Sequence, residues 1–297
     1  MGGALLFQAP CPTYHPLEYN GELLWVPRTP DAPLHYGIPC LLLQRPRAAY
    51  TIVYFHANAE DLGRVRVLAR VLVEHLGVHF LAVEYPGYGI CSGDPTEQNL
   101  LSDAEVVFRF VTDVLLVPIN RVLIMGRSVG GGPSIYLASK YECAGLVTLS
   151  AFSSLRSVVK SFVGWGALFP DLFDNLTRIR SVMCPVLLIH GTEDKTVDVD
   201  QARELAEACG ADVARKLDVQ LNLRVGIGHN DLDPEHDMVV PIKKAFPDLR
   251  HGRPLVLRAA PALLRQRTSE LAPDVRERVP YAADVVPAVA RQTPPEI

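Results

Sequence analysis

The chain has 297 residues, 48% hydrophobic and 21% charged, with a formal net charge of -4. That length holds one large α/β domain, and the composition is ordinary for a globular protein. The charge leaves no electrostatic footprint for nucleic acid, and no apolar run of about 18 residues offers a transmembrane helix.

The N-terminal stretch Met1 to Phe7 lacks the basic residues and length of a signal peptide. Leu6 stands where an N-myristoylation motif needs Ser or Thr. Six cysteines, Cys11, Cys40, Cys91, Cys143, Cys184 and Cys209, are scattered without a C-x-x-C pair. That argues against a structural zinc site and against a disulfide framework. Cys91 is the thiol to watch, because its loop is expected near the site proposed below.

In chain order, Gly21 to Val26, Ile38 to Gln44 and Tyr50 to His56 read as strands from their β-branched and aromatic content. Asp61 to Leu76 carries Leu62, Val65, Leu68, Ala69 and Leu72 at helical spacing. Val78 to Tyr85 is a buried-type strand closed by Pro86-Gly87-Tyr88-Gly89. Glu97 to Leu116 is helical, Arg121 to Gly126 a short apolar strand, and Gly130 to Tyr141 a helix with small residues at its start. Ala144 to Ser150 and Pro185 to His190 follow as strands. Then come a helix near Asp200 to Cys209, an alternating strand Leu217 to Val225 and a helix Pro234 to Phe246. Strands and helices in alternation, with near-continuous apolar strands, predict a mostly parallel sheet covered on both faces. The aromatic-rich segment 152–183 breaks this rhythm, either as a short cap or as two ordinary surface helices. Three divisions result: an N-terminal extension with the first strand (1–35), the main domain (36–249), and a partly disordered tail (250–297) outside the core, with one helix around Ala260 to Leu271.

Gly126-Arg127-Ser128-Val129-Gly130 matches G-x-S-x-G between an apolar strand and a helix, the setting of a nucleophile elbow. Ser128 is the candidate nucleophile. In this arrangement the acid and then the histidine follow in chain order. Asp194, just after the strand ending at His190, is the candidate acid, with Glu193, Asp198 and Asp200 as competitors. His229, in Gly226-Ile227-Gly228-His229-Asn230-Asp231 after the last strand, is the candidate base among nine histidines. The oxyanion donors are expected to be the backbone N–H of Val129, after the nucleophile, and that of Asn58, in the loop His56-Ala57-Asn58-Ala59-Glu60-Asp61. His56 reads as structural within that loop.

These motifs, with Phe55 to Asp61, Glu84-Tyr85-Pro86-Gly87-Tyr88-Gly89 and Ser92-Gly93, Ile189 to Asp194, and Gly228 to Asp231, give the chain a resemblance over about residues 15 to 247. It resembles the α/β-hydrolase-domain serine hydrolases, a group of esterases and serine peptidases, and most of all the protein-depalmitoylating members. The resemblance implies the α/β-hydrolase fold and hydrolysis of acyl esters or thioesters without metal or organic cofactor. The expected partner is a small-molecule or protein-linked acyl substrate, with cytoplasmic location and peripheral membrane contact. There are two departures from the pattern. Ala57 stands where the group carries Gly, a cost if that position needs positive φ. Only Cys11 stands where the depalmitoylating members carry an acylated cysteine cluster. Serine peptidase or amidase activity, a non-catalytic binding protein on the same fold, and docking through an Arg-bearing tail are the rival readings.

Overall fold

The computed structural model describes residues 7–19, 21–29, 31–156, 158, 172–211, 217–258 and 274–275. Eight strands make one sheet: β1 (Leu23–Val26), β2 (Ile38–Leu43), β3 (Thr51–Phe55), β4 (His79–Val83), β5 (Val122–Arg127), β6 (Gly145–Leu149), β7 (Val186–Gly191) and β8 (Val219–Arg224). Their order is β1-β2-β4-β3-β5-β6-β7-β8. β1 and β2 join antiparallel at one edge, and β4, β3, β5, β6, β7 and β8 run parallel. This is the expected α/β-hydrolase architecture.

The central strands read as continuous apolar runs because helices cover both faces. Alternate side chains feed two separate cores. Val53 and Phe55 join one, with Leu100, Ala104, Leu137 and Leu205 from the helices. Ile52 and Tyr54 join the other, with Leu62, Leu72 and Ile242. The first core is covered by α2 (Glu97–Arg109), α3 (Gly131–Lys140), α4 (Asn175–Ile179) and α5 (Val199–Gly210), the second by α1 (Leu62–Leu76) and α6 (Val240–Ala245).

The caps set the helix starts. Asp61 accepts the Arg64 N–H at 3.2 Å to open α1, and Gly77 closes it at φ 71. Thr96 accepts the Asn99 N–H at 3.1 Å to open α2. Three elements differ from the periodicity. The helix expected to reach Leu116 turns π-helical over Phe110–Val114 and is capped by Leu115, before Leu116 at φ 57 and Pro118. The helix expected over Pro234 to Phe246 is π-helical over Pro234–Val239 before α6, because Pro241 has no N–H for the regular ladder. β8 shows no buried-and-exposed alternation: all six residues are half-buried, as at a partly covered sheet edge.

The expected cap is described only at its ends, where Phe152 and Phe173 are buried; 159–171 lies outside the described residues. Of the tail expected to lie outside the core, Leu257 and Val275 are buried in it, and the Leu255 N–H donates to the Ala48 carbonyl at 2.7 Å. The helix expected around Ala260 to Leu271 falls outside the described residues. No helix among the described residues is long and apolar enough to cross a membrane.

Candidate active site

β5 runs into a tight turn that holds Ser128 at φ 52, a left-handed conformation. For a residue with a Cβ this costs about 1–2 kcal/mol. The glycines on either side make the turn sterically feasible. A Cβ at Gly126 would stand 2.1 Å from the Gly130 carbonyl oxygen, and one at Gly130 would stand 2.1 Å from the Phe55 carbonyl oxygen. Both obstacles are backbone and cannot swing aside. Gly130→Ala is therefore expected to cost about 3 kcal/mol or more, read as a fall in the denaturation midpoint. A loss below 1 kcal/mol, on the order of an ordinary surface change, would contradict the close approach.

The three predicted residues meet at the carboxyl ends of the strands. The Ser128 Oγ lies 3.1 Å from the His229 Nε2, and the His229 Nδ1 lies 2.7 Å from the Asp194 Oδ2. The Asp194 carboxylate is fully buried and multiply bonded. Its Oδ1 accepts the Thr196 and Val197 N–H groups at 2.9 and 2.8 Å, and its Oδ2 also faces the His190 Nε2 at 3.2 Å. Burial alone would raise its pKa, but these hydrogen bonds, from His190, His229 and Val197, hold it well below the usual carboxylate range. The competing acids are exposed and occupied elsewhere. Asp198 caps α5 through the Asp200 N–H at 2.8 Å, Asp200 pairs with Arg203, and Glu193 points to solvent.

Val129 follows Ser128 in the turn and is buried at the head of α3. The other predicted donor loop follows β3. Its Ala57 N–H is committed to the Glu60 Oε2 at 3.0 Å. Asn58 is fixed through its side chain: the Oδ1 accepts the Tyr88 hydroxyl at 2.5 Å and the Gln8 N–H at 2.9 Å. Positive φ falls at Ala59 (φ 58) and not at Ala57. The condition for a cost at residue 57, a positive φ, is therefore not met, and the Ala-for-Gly departure places no such strain there. Tyr88→Phe removes one of the bonds on Asn58. It is expected to cost about 0.5–1.5 kcal/mol of stability and about tenfold in kcat through a loosened oxyanion loop. An unchanged kcat in steady-state assays would show that this anchor is dispensable.

Beneath the loop lies a fully buried pair, His56 and Glu84, of which sequence reasoning gave a role only to His56. The His56 Nε2 sits 3.0 Å from the Glu84 Oε1, and the His56 Nδ1 sits 2.9 Å from the Ala57 carbonyl. Glu84 Oε2 also accepts the Tyr14 hydroxyl at 2.9 Å and the Leu62 N–H at 3.1 Å. The Tyr85 ring stacks on His56 at 3.9 Å, and its hydroxyl donates to the His56 carbonyl at 2.6 Å. His56 thus has the structural role expected. Burial alone would lower the His56 pKa, but the Glu84 carboxylate outweighs it and the net shift is upward. The stabilisation this gives is fully present below about pH 6.5 and is lost as pH rises through the raised folded value. Glu84→Ala would strand His56 in the core and is expected to cost about 3–5 kcal/mol, measured by chemical denaturation. In Glu84→Gln the loss of stability on going from neutral to alkaline pH should shrink.

Tyr88, Glu60, His190 and Arg127 were likewise not singled out. Their common signal is position, since each sits at or just after the carboxyl end of a strand, where ligand-facing residues collect. Cys91, the thiol to watch, is fully buried 3.3 Å from the Arg28 Nη2, and burial pushes its thiol pKa well up.

No protein-family model matches the chain. Alpha/beta hydrolase domain-containing protein 17B of Homo sapiens is 33% identical over 205 residues, which cover 66% of this chain and 66% of that protein. Alpha/beta hydrolase domain-containing protein 17C of Mus musculus is 32% identical over 196 residues, covering 63% and 57%. The match thus spans just under two thirds of the first relative and rather more than half of the second. Among solved structures, Est1E from Butyrivibrio proteoclasticus superposes with a TM-score of 0.60 at 14% identity, over 77% of this chain and 98% of that one. The Pyrococcus furiosus esterase Pf2001 superposes with a TM-score of 0.61 at 18% identity, over 81% and 98%. The likeness to the solved structures is one of fold, the likeness to the two relatives one of sequence as well, and the chain belongs to the α/β-hydrolase-domain family.

Proposed function

We propose that the chain is a serine hydrolase that cleaves acyl esters or thioesters through an acyl-enzyme. The observation that carries this reading is the continuous line from Ser128 Oγ to His229 Nε2 (3.1 Å) and from His229 Nδ1 to Asp194 Oδ2 (2.7 Å), with the serine at the tip of a strained turn. A serine hydroxyl is a weak nucleophile until a neighbouring base accepts its proton. In the proposed reaction the Ser128 Oγ attacks the acyl carbonyl and His229 takes its proton. Asp194 keeps the second imidazole proton on Nδ1 and stabilises the imidazolium. The Val129 and Asn58 N–H groups receive the oxyanion. His229 then protonates the leaving alcohol or thiol, and water attacks the acyl-serine with His229 again as base.

The aromatic-rich composition of the segment 152–183 favours an apolar acyl group. At its described ends Phe152 and Phe173 are buried and pack edge-on at 6.2 Å. Buried apolar contact is worth about 0.8 kcal/mol per methylene. Specificity should therefore rise by up to about fourfold per methylene that the bound acyl chain buries. The protein-depalmitoylating members that the motifs resemble make long-chain thioesters the first class to assay.

The test is labelling with a fluorophosphonate, mapped by mass spectrometry, followed by acyl esters, thioesters and amides of graded chain length. Labelling confined to Ser128, with thioester and ester turnover above amide turnover, is the expected result. A folded protein that neither labels nor turns over any acyl substrate would sink the reading in favour of a binding protein on the same fold.

A further inference from the structure

We infer that Arg127 is a positioning residue whose guanidinium clamps the oxyanion loop to the histidine loop, so that nucleophile, base and oxyanion donor move as one unit. The inference rests on the serine-hydrolase reading above.

Arg127 is the residue just before the nucleophile, so its side chain starts from the elbow itself. Its Nη1 lies 2.6 Å from the Glu60 Oε1. Its Nη2 lies 3.0 Å from the Asn230 Oδ1 and 3.3 Å from the His229 carbonyl. Glu60 passes the link on, because its other oxygen accepts the Ala57 N–H at 3.0 Å. One chain of contacts thus runs from the peptide beside Asn58, through Glu60 and Arg127, to the backbone of His229. Ser128 hangs from its middle.

The chemistry of the group suits the task. A guanidinium is a rigid planar fork that donates in two directions, and an ammonium is a single point. Here one prong takes the carboxylate and the other takes the histidine loop. The side chains of Arg127 and Glu60 are only 13% and 21% exposed, so the pair is largely shielded from solvent. The Arg127 Nε is buried with no hydrogen-bond partner among the described residues. An orphaned donor is a cost, and the arrangement accepts it to keep the two prongs in place. Arg127 acts through the residues it holds. Its effect on rate comes from alignment, where a displacement of about 1 Å can cost on the order of 100-fold.

The test compares full-length wild type with Arg127→Met, Arg127→Lys, Glu60→Gln and the Arg127→Met/Glu60→Gln double variant, with two readouts. In amide hydrogen exchange, Arg127→Met should raise exchange in both 56–61 and 226–231, with β3 and β6 unchanged. Arg127→Lys should restore protection in 56–61 only, since one ammonium keeps the Glu60 pair but cannot span both loops. In steady-state assays on an acyl ester that wild type turns over, Arg127→Met should lower kcat by about 10- to 100-fold with KM within about threefold. The double variant should be no slower than Arg127→Met alone, because both substitutions cut the same chain of contacts.

The clamp is overturned if Arg127→Met leaves exchange unchanged in either loop, or if the two substitutions multiply. It is also overturned if Arg127→Met lowers only the melting temperature while kcat holds. Should Arg127→Met fail to fold, Glu60→Gln decides alone, since the clamp requires it to loosen 226–231, a segment that among the described residues Glu60 reaches through Arg127. Exchange raised in both loops by Arg127→Met, together with wild type that does not label at Ser128, would refute the hydrolase reading and leave the mechanical link standing, so the two failures are distinguishable.

Discussion

Replacing Ser128 with alanine is expected to lower kcat by about 10⁴-fold or more and to leave the fold standing. The alanine keeps the Cβ and therefore the same left-handed φ of 52, so the strain of the elbow is unchanged. What is lost is the nucleophile and one hydrogen bond to the His229 Nε2, worth about 1 kcal/mol. For a domain of this size that is a fall of only about 2–4 °C in melting temperature. The residual rate would come from the oxyanion donors and from substrate binding. The measurement pairs the acyl-ester rate with thermal unfolding and fluorophosphonate labelling. Loss of label and rate in a protein that still melts cooperatively is the expected outcome. A variant that keeps a tenth of wild-type turnover, against the loss of about 10⁴ expected, would mean that Ser128 is not the nucleophile.

The alternation of strands and helices, the mostly parallel sheet and the candidates Ser128, Asp194 and His229 could be read from residue pattern alone, and the reason is physical. A parallel strand buried on both faces leaves a continuous apolar run, as in β5 and β7. The elbow needs glycines at fixed offsets because backbone from β3 and from the elbow's own turn passes where a Cβ would be. What periodicity missed lies at irregular backbone. Nothing in the apolar spacing of Phe110 to Leu116 distinguishes an α-turn from a π-turn, and Pro241 interrupts its helix through a missing donor rather than a missing apolar contact.

The supporting groups were hidden for a different reason. Glu84 and His56 are 28 positions apart in the chain and meet only because β3 and β4 are neighbours in register, Phe55 opposite Val83. Arg127 and Glu60 are 67 positions apart. A charged residue at the variable position of G-x-S-x-G has many uses, and its partner depends on which strand lies beside β5. That adjacency, β3 beside β5, is a property of the topology. The N-terminal extension could not be placed by pattern either. It contributes single contacts, from Gln8 to Asn58, from Thr13 to Asp61 and from Tyr14 to Glu84, with no repeat that periodicity can detect.

Asp194→Asn is expected to lower kcat by about 10⁴-fold near neutral pH, although it is nearly isosteric. The amide is not free to choose its orientation. The site of Oδ1 faces two backbone donors, the N–H groups of Thr196 and Val197, and must be occupied by the amide oxygen. The NH₂ group then falls where Oδ2 was, against the His229 Nδ1 and the His190 Nε2. There it donates to His229, which forces the imidazole proton onto Nε2, the atom that must accept the Ser128 proton. The base is present in the wrong tautomer. The same substitution removes an acid-linked stability. Because the folded pKa of Asp194 is depressed, its contribution is present above about pH 4 and is lost as pH falls through the folded value. Wild type should therefore lose more stability than Asp194→Asn between neutral and strongly acidic pH. The rate ratio at neutral pH, with denaturation curves at both ends of that range, checks both effects. A rate loss of less than about tenfold, far short of what a tautomer error produces, would show that Asp194 does not orient His229 and would return the role to another carboxylate.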